Sequence, residues 1–186
     1  PSRDCLSSAS CLRCCRERVR QPGTMGERMI RNQVLEQRDW APPSGVPLWP
    51  AFEAAAVKLL GDWDVMRMAV SGGWSDGDPA FERAKLIDDA LANFSQRAKS
   101  TSGLDPRDVE MFLETTMSDR FNADLEQNTA SSVARVLVKV FDEVRNNVTT
   151  GVRHVLGDVA FDHAQSTQAG FLMEFVPQAD PNAEAQ

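Results

Sequence analysis

The feature of this sequence that most constrains its fold is the spacing of its apolar residues between Phe52 and Val144. Apolar side chains recur there at steps of three and four residues, a period that places them on one face of an α-helix. Four such stripes follow one another, and glycine, proline or polar stretches separate them. The chain shows neither the alternation typical of strands nor the spacing of βαβ units. The pattern therefore predicts an all-α fold, a small helical bundle over residues 47–150.

The stripes also predict which residues form the core and where the helices begin and end. The predicted core positions are Phe52, Ala55, Ala56, Leu59, Leu60, Trp63, Met66 and Val70 on the first stripe; Phe81, Ala84, Ile87, Leu91 and Phe94 on the second; Val109, Phe112, Leu113, Met117 and Phe121 on the third; and Val133, Val136, Leu137, Val140, Phe141 and Val144 on the fourth. Gly72-Gly73 is a strong stop after the first stripe. The predicted helix starts are marked by Asp76 or Asp78 before Pro79, by Asp105 before Pro106, and by Thr129 or Ser131.

The stretches on either side of the bundle are predicted to be tails. Residues 1–46 are interpreted as a disordered or low-complexity N-terminal extension that ends in a linker with four prolines between Ala41 and Pro50. Its first 24 residues precede the first methionine and resemble a translated leader. Residues 151–186 are interpreted as a mostly disordered C-terminal tail, in which Phe171–Val176 is the candidate for a short docked helix or strand.

The charge of the chain is negative and unevenly distributed. The net charge is −7, but residues 1–24 hold five arginines and two acids, so that stretch is +3 and the rest is −10. An acidic body repels nucleic acid and attracts basic proteins. No run approaches the roughly 18 apolar residues that a membrane-spanning helix needs. We therefore expect a soluble intracellular protein that binds neither nucleic acid directly nor membranes.

The residues that carry most enzyme chemistry are scarce. His154 and His163 are the two histidines, and neither has the spacing of a metal site or a catalytic triad. Phosphate-binding, dinucleotide-binding and nucleophile motifs are absent from the sequence. The adjacent carboxylates Asp88-Asp89 lie on a predicted helix and are interpreted as part of a solvated face. The sequence thus predicts a protein that is not an enzyme and needs no cofactor.

All four cysteines lie in the N-terminal extension, at Cys5, Cys11, Cys14 and Cys15. Cys11-x-x-Cys14 is a ligand spacing found in zinc sites. A structural site usually has two well-separated pairs, however, and adjacent cysteines cannot easily share one tetrahedron. We therefore expect no metal site and keep a zinc-linked regulatory protein as an alternative function.

The stretch GDWDVMRMAVSGGWSDGD, from Gly61 to Asp78, combines two tryptophans with four aspartates. Trp63 lies in phase with the first stripe and is predicted to be core, whereas Trp74 follows the Gly-Gly break. A tryptophan beside carboxylates suits an arginine- or lysine-rich partner, because the ring attracts cations and the acids supply charge. The candidate partner-binding residues are Trp74 with Asp62, Asp64, Asp76 and Asp78, and a second acidic patch of Glu110, Glu114, Asp119, Asp124 and Glu126.

The order of these blocks resembles the WGG-domain pre-rRNA-processing proteins, from about Phe52 to Asn147. The blocks that carry the resemblance are FEAAAVKLLGDWDVMRMAV from Phe52, Gly73-Trp74, RAKLIDDALANF from Arg83, and MFLETTMSDRFNADLEQNTASSVARVL from Met111. Within the last block, Phe121-Asn122 matches the Phe-Asn of the family, Glu126 matches a carboxylate, and Thr129 stands at the position of a capping serine. The chain departs from the family at Ser75-Asp76, where the family name implies Gly-Gly.

The resemblance implies a non-enzymatic escort of small-subunit ribosomal protein twenty-six, a highly basic eukaryotic protein. Such an escort takes this cargo from its import receptor in the nucleus, shields it, and supports maturation of the small-subunit rRNA. The implied location is the nucleus and the cytoplasm. The acidic body fits this function physically, since an acidic helical surface screens a basic cargo yet stays displaceable by rRNA. A generic acidic adaptor that holds an amphipathic partner helix in a groove remains the other alternative.

Overall fold

The computed structural model describes residues 25–98, 100, 103–126 and 128–166, which form eight helices and no strand. The helices are α1 (Met25–Glu36), α2 (Trp49–Asp62), α3 (Asp64–Gly72), α4 (Pro79–Arg97), α5 (Pro106–Phe121), α6 (Thr129–Arg145), α7 (Thr150–Leu156) and α8 (Asp158–Ser166). The predicted all-α class is confirmed. Within the described ranges, no helix combines the length and apolarity that a bilayer crossing requires.

The core is built around α2, which contacts α3, α4, α6, α7 and α8. Four of its alanines are buried, and their small side chains let neighbouring helices approach closely. An aromatic cluster lies at the centre of the bundle. Phe52, Phe94 and Phe141 stand 5.0–5.2 Å apart between ring centroids, and Trp49 packs on Phe52 at 5.2 Å. The cluster therefore joins α2, α4 and α6.

The predicted core is largely confirmed, with one clear error on α6. Trp63 is buried, as the first stripe predicts. Val136, placed on the apolar face by its spacing, is instead exposed, and Val138 is buried. At 100° per residue, Val136 lies well away from the direction in which Leu137, Phe141 and Val144 point. The sequence pattern included it because it is apolar and four residues from Val140.

The first stripe forms two helices rather than one. Trp63 has the extended dihedral angles φ −60° and ψ 119°, so α2 ends at Asp62 and α3 begins at Asp64. Apolar spacing continues across this junction because the buried Trp63 keeps both helices against one core. The stripe therefore predicted the burial correctly but not the change of direction.

Several predicted helix ends are confirmed. Asp78 and Asp105 each accept a hydrogen bond from a backbone N–H two residues on, at 2.9 Å, and proline follows both. Gly73 ends α3 in the left-handed region at φ 64°. The prediction that Thr129 or Ser131 caps α6 is wrong, because Asn128 occupies the position before the helix, at φ 69°, and makes no side-chain cap bond.

The described structure extends into the stretch interpreted as an N-terminal extension. α1 packs on α4, and its Val34 is fully buried. After α1, Arg38 bonds Asp88 at 2.8 Å and Glu53 at 3.2 Å. Trp40 donates from its indole N–H to the same Asp88 at 3.2 Å. The chain before α2 is therefore fastened to the bundle by a buried polar cluster.

This cluster also corrects the interpretation of Asp88-Asp89 as a solvated face. Asp88 is 1% exposed and Glu53 is 2% exposed. Asp89 is half-buried and pairs with Lys85 at 3.1 Å and with Arg120. Burial raises the pKa of the Glu53 carboxyl above its ordinary value of 4.5, against the opposing effect of Arg38. These carboxylates therefore hold helices together.

Helices also continue past residue 150. α7 and α8 pack on α2 and bury Val152, Leu156, Phe161 and Ala164. The stretch interpreted as a mostly disordered tail thus adds two helices to the bundle up to Ser166. The predictions for Phe171–Val176 and for the four cysteines lie outside the described residues.

Candidate functional site

A groove opens between α3 and the connection from α5 to α6, with a volume of about 760 Å³. We name it the α3–α5 groove. Its lining comes from α3 and Trp74 on one side and from the end of α5 and the following connection on the other. The lining residues are Val65, Met68, Trp74, Phe121, Asn122, Ala123, Asp124, Leu125, Glu126 and Thr129.

The two glycines at the end of α3 place Trp74 in this groove. Gly73 adopts a left-handed conformation that L side chains rarely adopt, and this turns the chain out of the helix. Trp74 then donates its backbone N–H to the Ala69 carbonyl at 3.0 Å. A Cβ on Gly72 would lie 2.4 Å from the indole nitrogen of Trp74, so the ring rests directly on the Gly72 backbone. Trp74 remains 43% exposed and offers that surface to the groove.

The opposite wall depends on the way α5 ends. Asn122 ends the helix in the left-handed region at φ 49°, a conformation that asparagine tolerates better than most residues. The Ala123 N–H then bonds the Met117 carbonyl at 3.3 Å. The Asn122 side chain donates a long hydrogen bond, 3.5 Å, to the Trp74 carbonyl. This bond links the two walls of the groove.

The rim of the groove is acidic and its floor is apolar. Asp124 and Glu126 are exposed, whereas the lining residues Phe121 and Ala123 are buried. A second cleft of about 420 Å³ adjoins the groove and shares Ala123, Asp124 and Leu125 with it. We name it the adjoining cleft, and its other lining residues are Glu114, Thr115, Ser118 and Asp119. Among the described residues, neither lining includes a lysine or an arginine.

The structure thus brings together half of the predicted partner-binding residues. Trp74, Asp124 and Glu126 line the groove, and Glu114 and Asp119 line the adjoining cleft. Trp74 and four acids of the second patch, which are far apart from it in sequence, therefore line two adjoining cavities.

The other predicted acids line neither cavity. Asp62 pairs with Lys58 at 2.7 Å and Asp64 with Arg67 at 3.6 Å. Asp78 caps α4, which gives it a structural role independent of any partner. Asp76 is exposed and Glu110 is half-buried, both outside the two cavities.

The groove also has an apolar part that is not among the predicted partner-binding residues. Met68 is 51% exposed and Val65 is half-buried, and both line it from α3. Leu125 contributes from the connection. The available signal was the phase of Met68, an apolar residue that falls outside the first stripe although it lies on the same helix. An apolar side chain out of phase with the core face of a helix is a candidate for a surface contact.

The chemistry that this arrangement supports is binding. An indole face and a methionine can pack against the aliphatic parts of long side chains, and the rim carboxylates can bond cationic ends. In the part of the chain that the structure describes, no three His, Cys, Asp or Glu side chains are grouped so as to hold a metal ion.

Comparison with known proteins gives an independent view of the same region. Residues 52–135 match the family model described as Pre-rRNA-processing protein TSR2. The chain is 28% identical over 109 residues to the Pre-rRNA-processing protein TSR2 homolog of Xenopus laevis. The aligned residues make up 59% of this chain and 56% of that relative. The chain thus spans little more than half the length of this curated relative. No solved structure matches the chain.

The matched region contains every residue that lines the α3–α5 groove. Motif positions that carry the resemblance, namely Trp74, Phe121, Asn122, Glu126 and Thr129, are all among them. The family model, the curated relative and the order of the sequence blocks agree. The family model and the curated relative support the WGG family of pre-rRNA-processing proteins for residues 52–135 of the chain.

Proposed function

We propose that this protein is a non-enzymatic factor in pre-rRNA processing and ribosome biogenesis, and that it escorts a basic ribosomal protein of the small subunit. The observation that carries the proposal is the α3–α5 groove. It combines an exposed indole, an apolar floor and rim carboxylates within the region that matches the family. The fitting cargo is small-subunit ribosomal protein twenty-six, which the family resemblance implies.

The charge of the groove supports a basic partner. Asp124 and Glu126 on its rim, with Glu114 and Asp119 in the adjoining cleft, place four carboxylates along one surface. Such a surface accelerates encounter with a cationic protein and opposes encounter with the phosphates of RNA. Because exposed charges are screened by salt and replaceable by other anions, the complex can pass its cargo on to rRNA.

The proposed escort works in the nucleus, where pre-rRNA is processed, and in the cytoplasm, where the cargo is made. It receives the cargo from an import receptor and delivers it to pre-ribosomes. This transfer requires a surface that competes with the import receptor and with rRNA for the cargo. It requires no bond-making chemistry. The groove supplies that surface by mimicking part of the negative field that the cargo later meets on rRNA.

The test is calorimetric binding of the full chain to purified small-subunit ribosomal protein twenty-six. We expect tight binding at about 0.1 M salt and at least roughly tenfold weaker binding at about 1 M salt, where the screening length falls from about 10 Å to about 3 Å. Absence of binding at the lower salt concentration contradicts the escort function.

A matched pair of variants locates the interaction. Asp124→Asn with Glu126→Gln removes two rim carboxylates, and we expect it to weaken binding and flatten the salt dependence. The control is Glu36→Gln with Asp108→Asn, which makes the same charge change at exposed residues outside both cavities. Equal effects of the two pairs would assign the attraction to net charge rather than to the groove.

The apolar floor of the groove favours one second candidate, an adaptor that binds an amphipathic partner helix. Met68 and Trp74 are large and exposed and both line the groove, as anchors for such a helix would. Binding that is insensitive to salt and lost in Met68→Ala would favour the adaptor. For the zinc-linked alternative, metal analysis of the full chain against a Cys5, Cys11, Cys14 and Cys15 to serine variant is the direct measurement.

A further inference from the structure

The protein binds two of its own arginines with the same combination of groups. The guanidinium carbon of Arg38 lies 4.1 Å from the ring centroid of Trp40. The same guanidinium bonds the carboxylates of Asp88 and Glu53, at 2.8 Å and 3.2 Å. One aromatic face and two carboxylates therefore hold this arginine.

The second example lies at the other end of the described chain. The guanidinium carbon of Arg153 is 4.2 Å from the ring centroid of Phe161. Its two terminal nitrogens face Asp158 at 2.6 Å and Asp162 at 3.7 Å. This site is much more exposed than the Arg38 site, so the combination occurs both in the interior and on the surface.

A guanidinium suits this combination better than an ammonium does. It is planar, so it stacks flat on an aromatic ring, and its five N–H donors can reach two carboxylates at once. Lysine carries a compact, strongly hydrated charge that neither stacks nor forms a fork of parallel bonds. A site built from a ring and two carboxylates therefore distinguishes arginine from lysine.

Groups of the same kinds line the α3–α5 groove, where the described part of the chain supplies no cation. Trp74 is 43% exposed, Asp124 and Glu126 lie on the rim, and the described lining contains neither arginine nor lysine. We propose that the groove is an arginine-binding site for the partner, in which the Trp74 indole stacks on a guanidinium and the two rim carboxylates accept its N–H bonds. This inference rests on the proposed function and specifies the chemistry of the segment that the groove recognises.

The size and floor of the groove define the rest of the ligand. A volume of about 760 Å³ holds several side chains, not one. Met68 and Leu125 provide apolar contacts beside the charged rim. The recognised segment therefore carries an arginine with an apolar residue close to it in sequence.

Two synthetic peptides of equal length and charge test the inference on the full chain. One alternates arginine with leucine, and the other alternates lysine with leucine. Calorimetry, together with tryptophan emission, should show the arginine peptide binding roughly tenfold tighter, the scale of a stacked and doubly bonded guanidinium. Equal affinity of the two peptides would overturn the inference.

Variants of Trp74 supply the second measurement. Trp74→Leu should reduce the preference for arginine over lysine to about twofold or less, whereas Trp74→Phe should keep part of it. Met111→Leu is the control, since Met111 is 60% exposed and lines neither cavity. A preference that survives Trp74→Leu would place the arginine site elsewhere and overturn the assignment.

Parallel titration with the ribosomal protein separates this inference from the proposed function. If the cargo binds and Trp74→Leu does not weaken it, the arginine site is wrong although the escort function stands. If the arginine peptide binds selectively through Trp74 but the cargo does not bind, the site stands and the proposed cargo is wrong.

Discussion

At the scale of single residues, Gly72 and Gly73 have separate roles at the end of α3. Gly73 needs its conformational freedom, because its φ of 64° is strained for other residues. Gly72 has no positive φ; what it provides is space, since the indole of Trp74 occupies the position of a β-carbon. The position of the exposed tryptophan in the groove therefore depends on the absence of one methyl group.

We predict that Gly72→Ala moves the Trp74 ring without unfolding the protein. The new Cβ would lie 2.4 Å from the indole nitrogen and 2.8 Å from Cδ1, so the ring must swing away. Alanine also favours a helix by about 1 kcal/mol relative to glycine. This gain offsets the lost contact between the Trp74 ring and the backbone of residue 72. The measurements are the Trp74 indole N–H resonance and the affinity for the arginine peptide, which should both change. Gly103→Ala, with nothing within 4 Å, is the control, and an unchanged indole resonance in Gly72→Ala would contradict the prediction.

Glu53 is a residue whose protonation matters to stability. Burial is the largest cause that raises the pKa of its carboxyl, Arg38 opposes it, and Asp88 adds to it. Its folded-state pKa thus lies above its unfolded value. The folded protein holds this proton to a higher pH than the unfolded chain does, so the stabilisation is complete below pH 4.5 and is lost as the pH rises through the folded pKa.

We therefore predict a pH-dependent difference between the wild type and Glu53→Gln. The glutamine stays neutral at every pH, so the stability of the variant lacks the pH-dependent contribution of the Glu53 carboxyl. The free energy of unfolding of the wild type, minus that of the variant, should fall as the pH rises above 4.5 and through the raised folded-state pKa of Glu53. Urea denaturation at several pH values measures it, with Glu36→Gln as a control for the loss of one surface carboxyl. A difference that grows with pH would mean that attraction to Arg38 outweighs burial.

At the scale of helices, the two aspartates before α4 have different roles despite their closeness. Asp78 accepts the Ala80 N–H at 2.9 Å, which satisfies one of the free donors at the start of α4. Asp76 is exposed two residues earlier, outside the helix. A charge reversal at both positions would therefore combine an effect on folding with any effect on a partner.

We predict that Asp78→Ala lowers the free energy of unfolding by about 1 kcal/mol, within the range of about 0.5–2 kcal/mol for lost N-caps. Asp76→Ala is the matched control, and its stability should stay close to that of the wild type. Chemical denaturation monitored by circular dichroism measures both. Equal destabilisation by the two variants would show that charge near the helix start matters more than the cap bond.

Sequence pattern predicts helices well here because burial repeats along them. The stripes located the core of α2 to α6, and proline with a preceding aspartate located two helix starts. The attachment of Arg38, just after α1, was not predictable in this way, since its side chain reaches two carboxylates 15 and 50 positions away in sequence. Buried ion clusters carry no periodic signal, and a buried Asp88 looks in sequence like any surface acid.

The candidate site was predictable in its parts but not in its assembly. Trp74 and the acids of the second patch were identified from composition and local order. Trp74 meets Asp124 and Glu126 in one groove because the chain turns at the left-handed Asn122, after the end of α5. Asp62 and Asp64 looked equivalent in sequence yet line neither cavity, and they pair instead with Lys58 and Arg67.

At the scale of the whole molecule, the region that matches the family and the unit that folds have different limits. The match ends at residue 135, inside α6, whose buried residues continue to Val144. It begins at Phe52, after Trp49 of the aromatic cluster. Helices α1, α7 and α8 lie outside the match and still pack against α4 or α2. The groove thus lies within the matched region, whereas some of the helices that pack against the core of the bundle lie outside it.

We predict that fragment 52–135 does not fold, whereas fragment 25–166 gives the native spectrum. The short fragment lacks Trp49 and Phe141, which pack on Phe52 at the centre of the core. Truncation of one buried aromatic side chain typically costs about 3–5 kcal/mol, and a domain has about 5–15 kcal/mol in total. Losing both, together with Leu137 and Val144, therefore costs about as much as the whole stability of an ordinary domain. Circular dichroism and the dispersion of amide resonances measure the outcome. A dispersed, cooperatively melting fragment 52–135 would show that the core closes without α1, α7, α8 and half of α6.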